Sequence, residues 1–105
     1  MRAGKSLALL FLFSSPGLAD TAVPAAALKN LIVGKTVLIG SSRAFYGADG
    51  NYTYDGAYPG KYRIDNGRIC VDFLNGFARC DQIVKDAGNY YLINAQGYRY
   101  QFKPQ

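Results

Sequence analysis

KYRIDNGRICVDFLNGFARCDQIV, Lys61 to Val84, contains two hairpin signals and both cysteines of the chain. Asn66-Gly67 is the dipeptide that a two-residue type I′ turn prefers, because both turn positions need positive φ. A turn there sets Ile64 opposite Ile69, Tyr62 opposite Val71, Asp65 opposite Arg68 and Lys61 opposite Asp72. Apolar meets apolar and charge meets opposite charge, which is how cross-strand pairs hold a register. A slip of one residue would set Ile64 against Arg68. Further on, Leu74-Asn75-Gly76 suits a three-residue loop with Gly76 in the left-handed region. That loop closes on Phe73 and Phe77 and brings Cys70 opposite Cys80. Alternation from the closing pair makes the two cysteines a non-hydrogen-bonded pair, with Cα atoms roughly 4.5 Å apart, inside the range a disulfide accepts. The same count sets Ile69 against Asp81 and Val71 against Arg79, and an apolar face should not alternate with charges. The expectation is therefore a bulge in the second strand, or a position for Arg79 and Asp81 at the margin of the sheet.

The compartment decides what two cysteines do. MRAGKSLALLFLFSSPGLAD opens with basic residues (Arg2, Lys5), runs through an apolar stretch from Leu7 to Phe13, breaks at SSPG and ends on small residues at Gly17 and Ala19. This is the pattern of a secretory signal peptide over residues 1–19, cut between Ala19 and Asp20. The apolar run is about half of the ~20 residues that a membrane-spanning helix needs. No later segment is apolar enough to span, so the expected mature protein is a single β-rich domain over residues 20–105, periplasmic or secreted. In such a compartment a Cys70–Cys80 disulfide is the default. A metal site is not expected, since there is no histidine and only two thiols. The ten-residue separation also differs from the C-x-x-C of redox enzymes.

The net charge is +5. Without the two basic residues of the leader it falls to +3, which is modest and spread along the chain. A dedicated nucleic-acid binder is not expected, and the charge is compatible with weak attraction to an acidic envelope surface.

Pro24 can open a helix, and Leu28, Leu31 and Ile32 recur at i, i+3 and i+4 on one face. Gly34 stops it, so a short helix is read over 24–33. Beyond Gly34 the chain is strand-like. KTVLIG, AFY, NYTY, the two hairpins above, and segments on either side of DAGN and NAQG bring the total to about seven or eight short strands. The fold class is mainly β: an antiparallel meander or small barrel, with the helix over one open end or edge.

Catalytic chemistry finds little material. Ser41 and Ser42 are the serines left after the leader, and without histidine no Ser-His-Asp site can be assembled. Asp49, Asp55, Asp65 and Asp86 sit beside glycine, asparagine or alanine in turns, where a carboxylate bonds the local backbone. Asp49 to Gly60 resembles a calcium loop in part, but Tyr54 stands where glycine should be sixth and Gly60 where glutamate should be twelfth. No enzyme activity, no cofactor and no metal are expected. A carboxylate pair brought together by the fold is the one catalytic arrangement left open.

Nine tyrosines are the unusual feature. Tyrosine combines apolar area with a polar tip and is enriched at binding surfaces, but it also suits strands. Tyr98, Tyr100 and Phe102 alternate with Arg99, Gln101 and Lys103. If that aromatic face lines a ligand mouth, Tyr98, Tyr100 and Tyr62 are the candidate binding residues. If it is core, they are structural. On the other face, Arg99 is expected to matter little for stability.

Gly60, Tyr62, Gly67, Cys70, Cys80 and Gly97 carry a resemblance to a class of small exported proteobacterial proteins of unknown function. In these a D/N-G turn precedes a strand with one cysteine, and a second cysteine follows about ten residues on. The resemblance covers roughly the last half of the chain. It implies an exported single-disulfide β-domain and no activity. Gln96-Gly97-Tyr98-Arg99-Tyr100 also resembles the S-G-x-x-Y loop of periplasmic lysozyme inhibitors. Gln96 stands in place of the serine, and the Lys-Gly that follows in that family has no counterpart. The expected function is an exported, non-catalytic binding module of the cell envelope, with an envelope ligand or protein as partner. The alternative is an inhibitor of an envelope-directed enzyme such as lysozyme.

Overall fold

The computed structural model describes residues 20–105, so the signal peptide expected over residues 1–19 lies outside the described residues. Nine strands and one helix follow in order: β1 (Thr21–Ala22), α1 (Ala25–Ile32), β2 (Lys35–Ile39), β3 (Ser42–Tyr46), β4 (Asn51–Tyr54), β5 (Ala57–Asp65), β6 (Arg68–Phe73), β7 (Ala78–Asp86), β8 (Asn89–Ile93) and β9 (Arg99–Pro104). From β2 to β9 each strand pairs antiparallel with the next, and β9 returns to pair with β2. The result is a closed eight-stranded up-and-down barrel. Closure leaves none of these eight strands as a free edge.

The two hairpin signals form as their residues dictate. Asn66 and Gly67 both take positive φ, and β5 and β6 pair Ile64 with Ile69, Tyr62 with Val71 and Lys61 with Asp72. The ion pair of Asp72 is nevertheless diagonal, to Arg63 at 2.6 Å, while Lys61 donates to Asn51 Oδ1. Gly67 is fixed twice over. Its φ is +80°, and a Cβ there would lie 3.2 Å from the carbonyl oxygen of Val23, where β1 runs along β7 past the turn. Gly60 answers a different need. A Cβ at Gly60 would meet the Asp72 carbonyl oxygen at 2.7 Å. Its cross-strand neighbours Tyr52 and Phe73 close the gap above it, their rings 5.8 Å apart and edge to face.

Cys70 and Cys80 are paired in register and joined by a disulfide, with Cα atoms 4.0 Å apart. The bond is consistent with an oxidising compartment outside the cytoplasm. Ile69 and Val71 face the interior, so alternation puts Cys70 on the outer wall. The oxidised protein should weigh two protons less than its reduced form by mass spectrometry. Cys70→Ala should cost less than the ~3 kcal/mol of a 15-residue loop and leave Cys80 free to link two chains, visible as a dimer on a non-reducing gel. Free thiols in exported protein would contradict the bond.

Helix α1 closes one end of the barrel. Pro24 is its N-cap and Val33 its C-cap, and Leu28 and Ile32, one turn apart, are fully buried. They join Val37, Tyr46, Ile83, Leu92 and Phe102 in one core. The first described residue, Asp20, is tied to the barrel wall by Arg99 at 2.7 and 2.9 Å. That hydrogen bond holds the Asp20 carboxyl below its usual range. Arg99 also reaches Asp86 at 3.2 Å and stacks on the Tyr91 ring, 4.1 Å from its centroid. Arg99 thus joins Asp20, β7 and β8 on the outer surface, through solvent-accessible ion pairs that are each worth little in water. Among the described residues, no helix is long and apolar enough to cross a membrane.

Candidate functional site

The end of the barrel opposite α1 is open. Four hairpin turns surround it: Gly40-Ser41, Asp55-Gly56, Leu74 to Phe77, and Asn94 to Tyr98. The opening leads into a cavity of about 440 Å³ lined by Tyr46, Tyr52, Tyr54, Tyr100, Arg79 and Asp81, with Ile39 and Ser42 at the rim. Eight-stranded barrels leave an interior that either fills with side chains or holds one small ligand. Here the helix end is filled and the turn end is hollow.

Arg79 and Asp81 lie on the inward face of β7, and this is where the structure departs from the sequence reading. The β6–β7 register continues without a bulge, with Ile69 opposite Asp81 and Val71 opposite Arg79. Neither residue sits at a sheet margin, because the barrel is closed. Asp81 is 5% exposed. Arg79 donates to it from Nε at 2.7 Å and from Nη2 at 3.0 Å. This forked geometry is the strong form of an ion pair and holds Arg79 above its ordinary pKa. The Arg79 side chain is 40% exposed and reaches toward the mouth. It also borders a side cleft with Asn94, Ala95 and Gln96.

A register that turns two charges inward runs against the hydrophobic pattern. A slip of one residue would send both to solvent. Cys80 lies between them and faces outward, so its bond to Cys70 locks the strand in the orientation that the charges alone would leave. The disulfide is thus a structural clasp, and it also positions the polar floor of the cavity.

The tyrosines divide sharply. Tyr46 and Tyr52 are 2% and 3% exposed and pack against each other with ring centroids 5.3 Å apart. Burial pushes both phenols above their ordinary pKa, so both stay protonated. Neither hydroxyl makes a hydrogen bond among the described residues, although the hydroxyl of Tyr62 donates to Gly47 O at 2.7 Å. Tyr62 is half-buried and meets Tyr46 edge to face at 5.2 Å. Its hydroxyl is anchored at a turn on the helix side, so it belongs to the wall rather than the mouth. Tyr98 precedes β9 and is 65% exposed, outside the cavity. Of the three candidate residues Tyr98, Tyr100 and Tyr62, only Tyr100 lines the mouth, where it leans over Gly40. The sequence reading missed Tyr46, Tyr52, Tyr54, Arg79 and Asp81. The unresolved conflict at Arg79 and Asp81 was the signal that could have found them.

Of the turn aspartates, Asp49 accepts the Asn51 N–H beside it and Asp65 pairs with the Arg68 side chain across its turn, whereas Asp55 reaches the Arg43 N–H and Asp86 reaches Arg99. Tyr98→Ala and Tyr100→Ala should each leave the melting temperature close to wild type, within roughly 1 kcal/mol for side chains this exposed. Collapse of the fold in either variant would assign that ring to the core. Comparison with protein families, with curated proteins and with solved structures returned no match to this chain.

Proposed function

We propose that the protein is an exported, non-catalytic binding module of the cell envelope that takes a small ligand in the mouth of its barrel. The observation that supports this most is the hollow turn end. A cavity of about 440 Å³ falls within the size range of small-molecule sites, and aromatic walls with a few convergent polar groups are what such sites share. A barrel needing only a core would have filled that end with side chains, as the helix end is filled by Leu28 and Ile32. Export to the periplasm or beyond follows from the leader, and the disulfide fits it. The half-chain resemblance to small exported proteobacterial proteins points the same way.

The test is ligand-observed NMR of the oxidised protein against a small-molecule extract of the cell envelope. Binding should vanish in Ser42→Trp, whose indole fills the mouth, and persist in Tyr98→Ala. Signals that survive Ser42→Trp would put binding elsewhere.

One observation favours the second reading, an inhibitor of an envelope-directed enzyme such as lysozyme. The Asn94–Tyr98 turn is held rigid by Asn94 Oδ1, which accepts the N–H groups of Gln96 and Tyr98, and it presents the exposed Tyr98. On that reading Tyr98→Ala abolishes the activity and Ser42→Trp does not.

A further inference from the structure

The ligand class follows from an inventory of donors and acceptors in the mouth. Arg79 only donates. Its Nε and Nη2 engage Asp81, and its Nη1 carries no hydrogen bond among the described residues. The Tyr46 and Tyr52 hydroxyls are buried and protonated and carry no hydrogen bond among the described residues, and both rings line the cavity. Asp81 is the one carboxylate among the described lining residues. Each of its oxygens accepts from Arg79, and at 7% side-chain exposure against 40% for Arg79 it is the guanidinium, not the carboxylate, that meets what enters. The phenols, and Ser41, Ser42 and Asn94 in the lining, can donate or accept, whereas the outer face of Arg79 can only donate. The one fixed polarity open to the mouth is therefore that of a charged donor, and polar groups left unpaired favour a ligand that pairs them.

We propose that the barrel mouth receives a small organic monoanion, its carboxylate head accepting from Arg79 and from the Tyr46 and Tyr52 hydroxyls, its apolar or aromatic body lying against Tyr54 and Tyr100. This rests on the small-ligand reading above and adds its chemistry. Charge limits the choice further. A single carboxylate can be met by direct hydrogen bonds from the exposed guanidinium, but Asp81 beside it leaves no net positive charge for a second negative charge, which disfavours phosphate and other dianions. A cation would meet the exposed guanidinium before the buried carboxylate. Asp81 is a positioning residue here: it holds the guanidinium fork in one plane, the geometry in which Arg recognises a carboxylate.

The experiment titrates the oxidised protein with three probes of one shape: benzoate, neutral benzamide and cationic benzylamine. Amide and Arg79 side-chain resonances are followed by NMR. Benzoate should move Gly40, Ser41, Asn94 and the Arg79 Nε–H, and bind about tenfold or more tighter than benzamide, as expected for hydrogen bonds to a charged group. Benzylamine should bind more weakly than either. The double variant Arg79→Gln/Asp81→Asn removes both charges together, so neither is left alone in the interior, and should bring benzoate down to the level of benzamide. Tyr52→Phe keeps the ring and removes one donor. It should weaken benzoate several-fold whether or not the double variant folds. Benzamide or benzylamine binding as tightly as benzoate, or undiminished benzoate binding in these variants, would overturn the proposal. Neutral probes that still occupy the mouth would then leave the small-ligand reading standing. If none of the three probes perturbs the mouth at millimolar concentration, both readings fall.

Discussion

Arg79→Met should lower stability by about 3 kcal/mol, at the lower end of what breaking a buried ion pair costs. The reason is Asp81, which is 5% exposed and would keep its charge with no partner. The lower end applies because the outer part of Arg79 is solvated, at 40% side-chain exposure. Arg79→Met/Asp81→Leu should recover most of the loss, since an apolar pair of similar volume removes the stranded charge instead of creating one. Urea titrations of the four members of this cycle yield the coupling directly. A double variant as unstable as Arg79→Met would mean that the pair does not act as a unit. A single variant within ~0.5 kcal/mol of wild type would mean that Asp81 is not held by Arg79 at all.

This pair also marks where the sequence stopped being legible. Local pairings were readable because a turn fixes them. Asn66-Gly67 determines six partners of β5 and β6, and the Leu74-Asn75-Gly76 loop determines Cys70 opposite Cys80. The helix was readable from Leu28 and Ile32 one turn apart. Barrel closure was not. It depends on Phe102 meeting Ile39 and Pro104 meeting Val37, a contact across most of the chain with no turn to announce it. Without closure, the inward face of β7 looks like an error at Arg79 and Asp81, because a sheet face with charges in it has to be an edge or a bulge. Inside a hollow barrel mouth the same alternation is sound, since the charges meet each other. The tyrosines failed for a related reason. Period-two alternation assigns Tyr100 to the inner face, but it cannot say that the strand begins at Arg99 and leaves Tyr98 outside. Nor can it say that Tyr62 points toward the closed end.

The closed end carries the second large effect. Ile32→Ala should destabilise the whole protein by about 2–5 kcal/mol, the range for truncating a fully buried aliphatic side chain. An eight-residue helix has no stability of its own in water. Helix α1 persists because Leu28 and Ile32 enter the barrel, and they are its two buried residues. Truncating one leaves a void at the base that the closed wall cannot collapse to fill, because every barrel strand is bonded on both sides. Asn30→Ala, on the exposed side of the same helix, is the control and should stay within ~0.5 kcal/mol of wild type. Hydrogen exchange separates two ways of losing stability. If the helix is an integral plug, Ile32→Ala accelerates exchange in the core strands β6 and β7 as well as in the helix. If it is an appendage, only the amides of α1 speed up and the barrel melts as before. The second outcome would remove the helix from the core and turn a blind cup into an open-ended tube. A ligand held at one mouth would then have no floor beneath it.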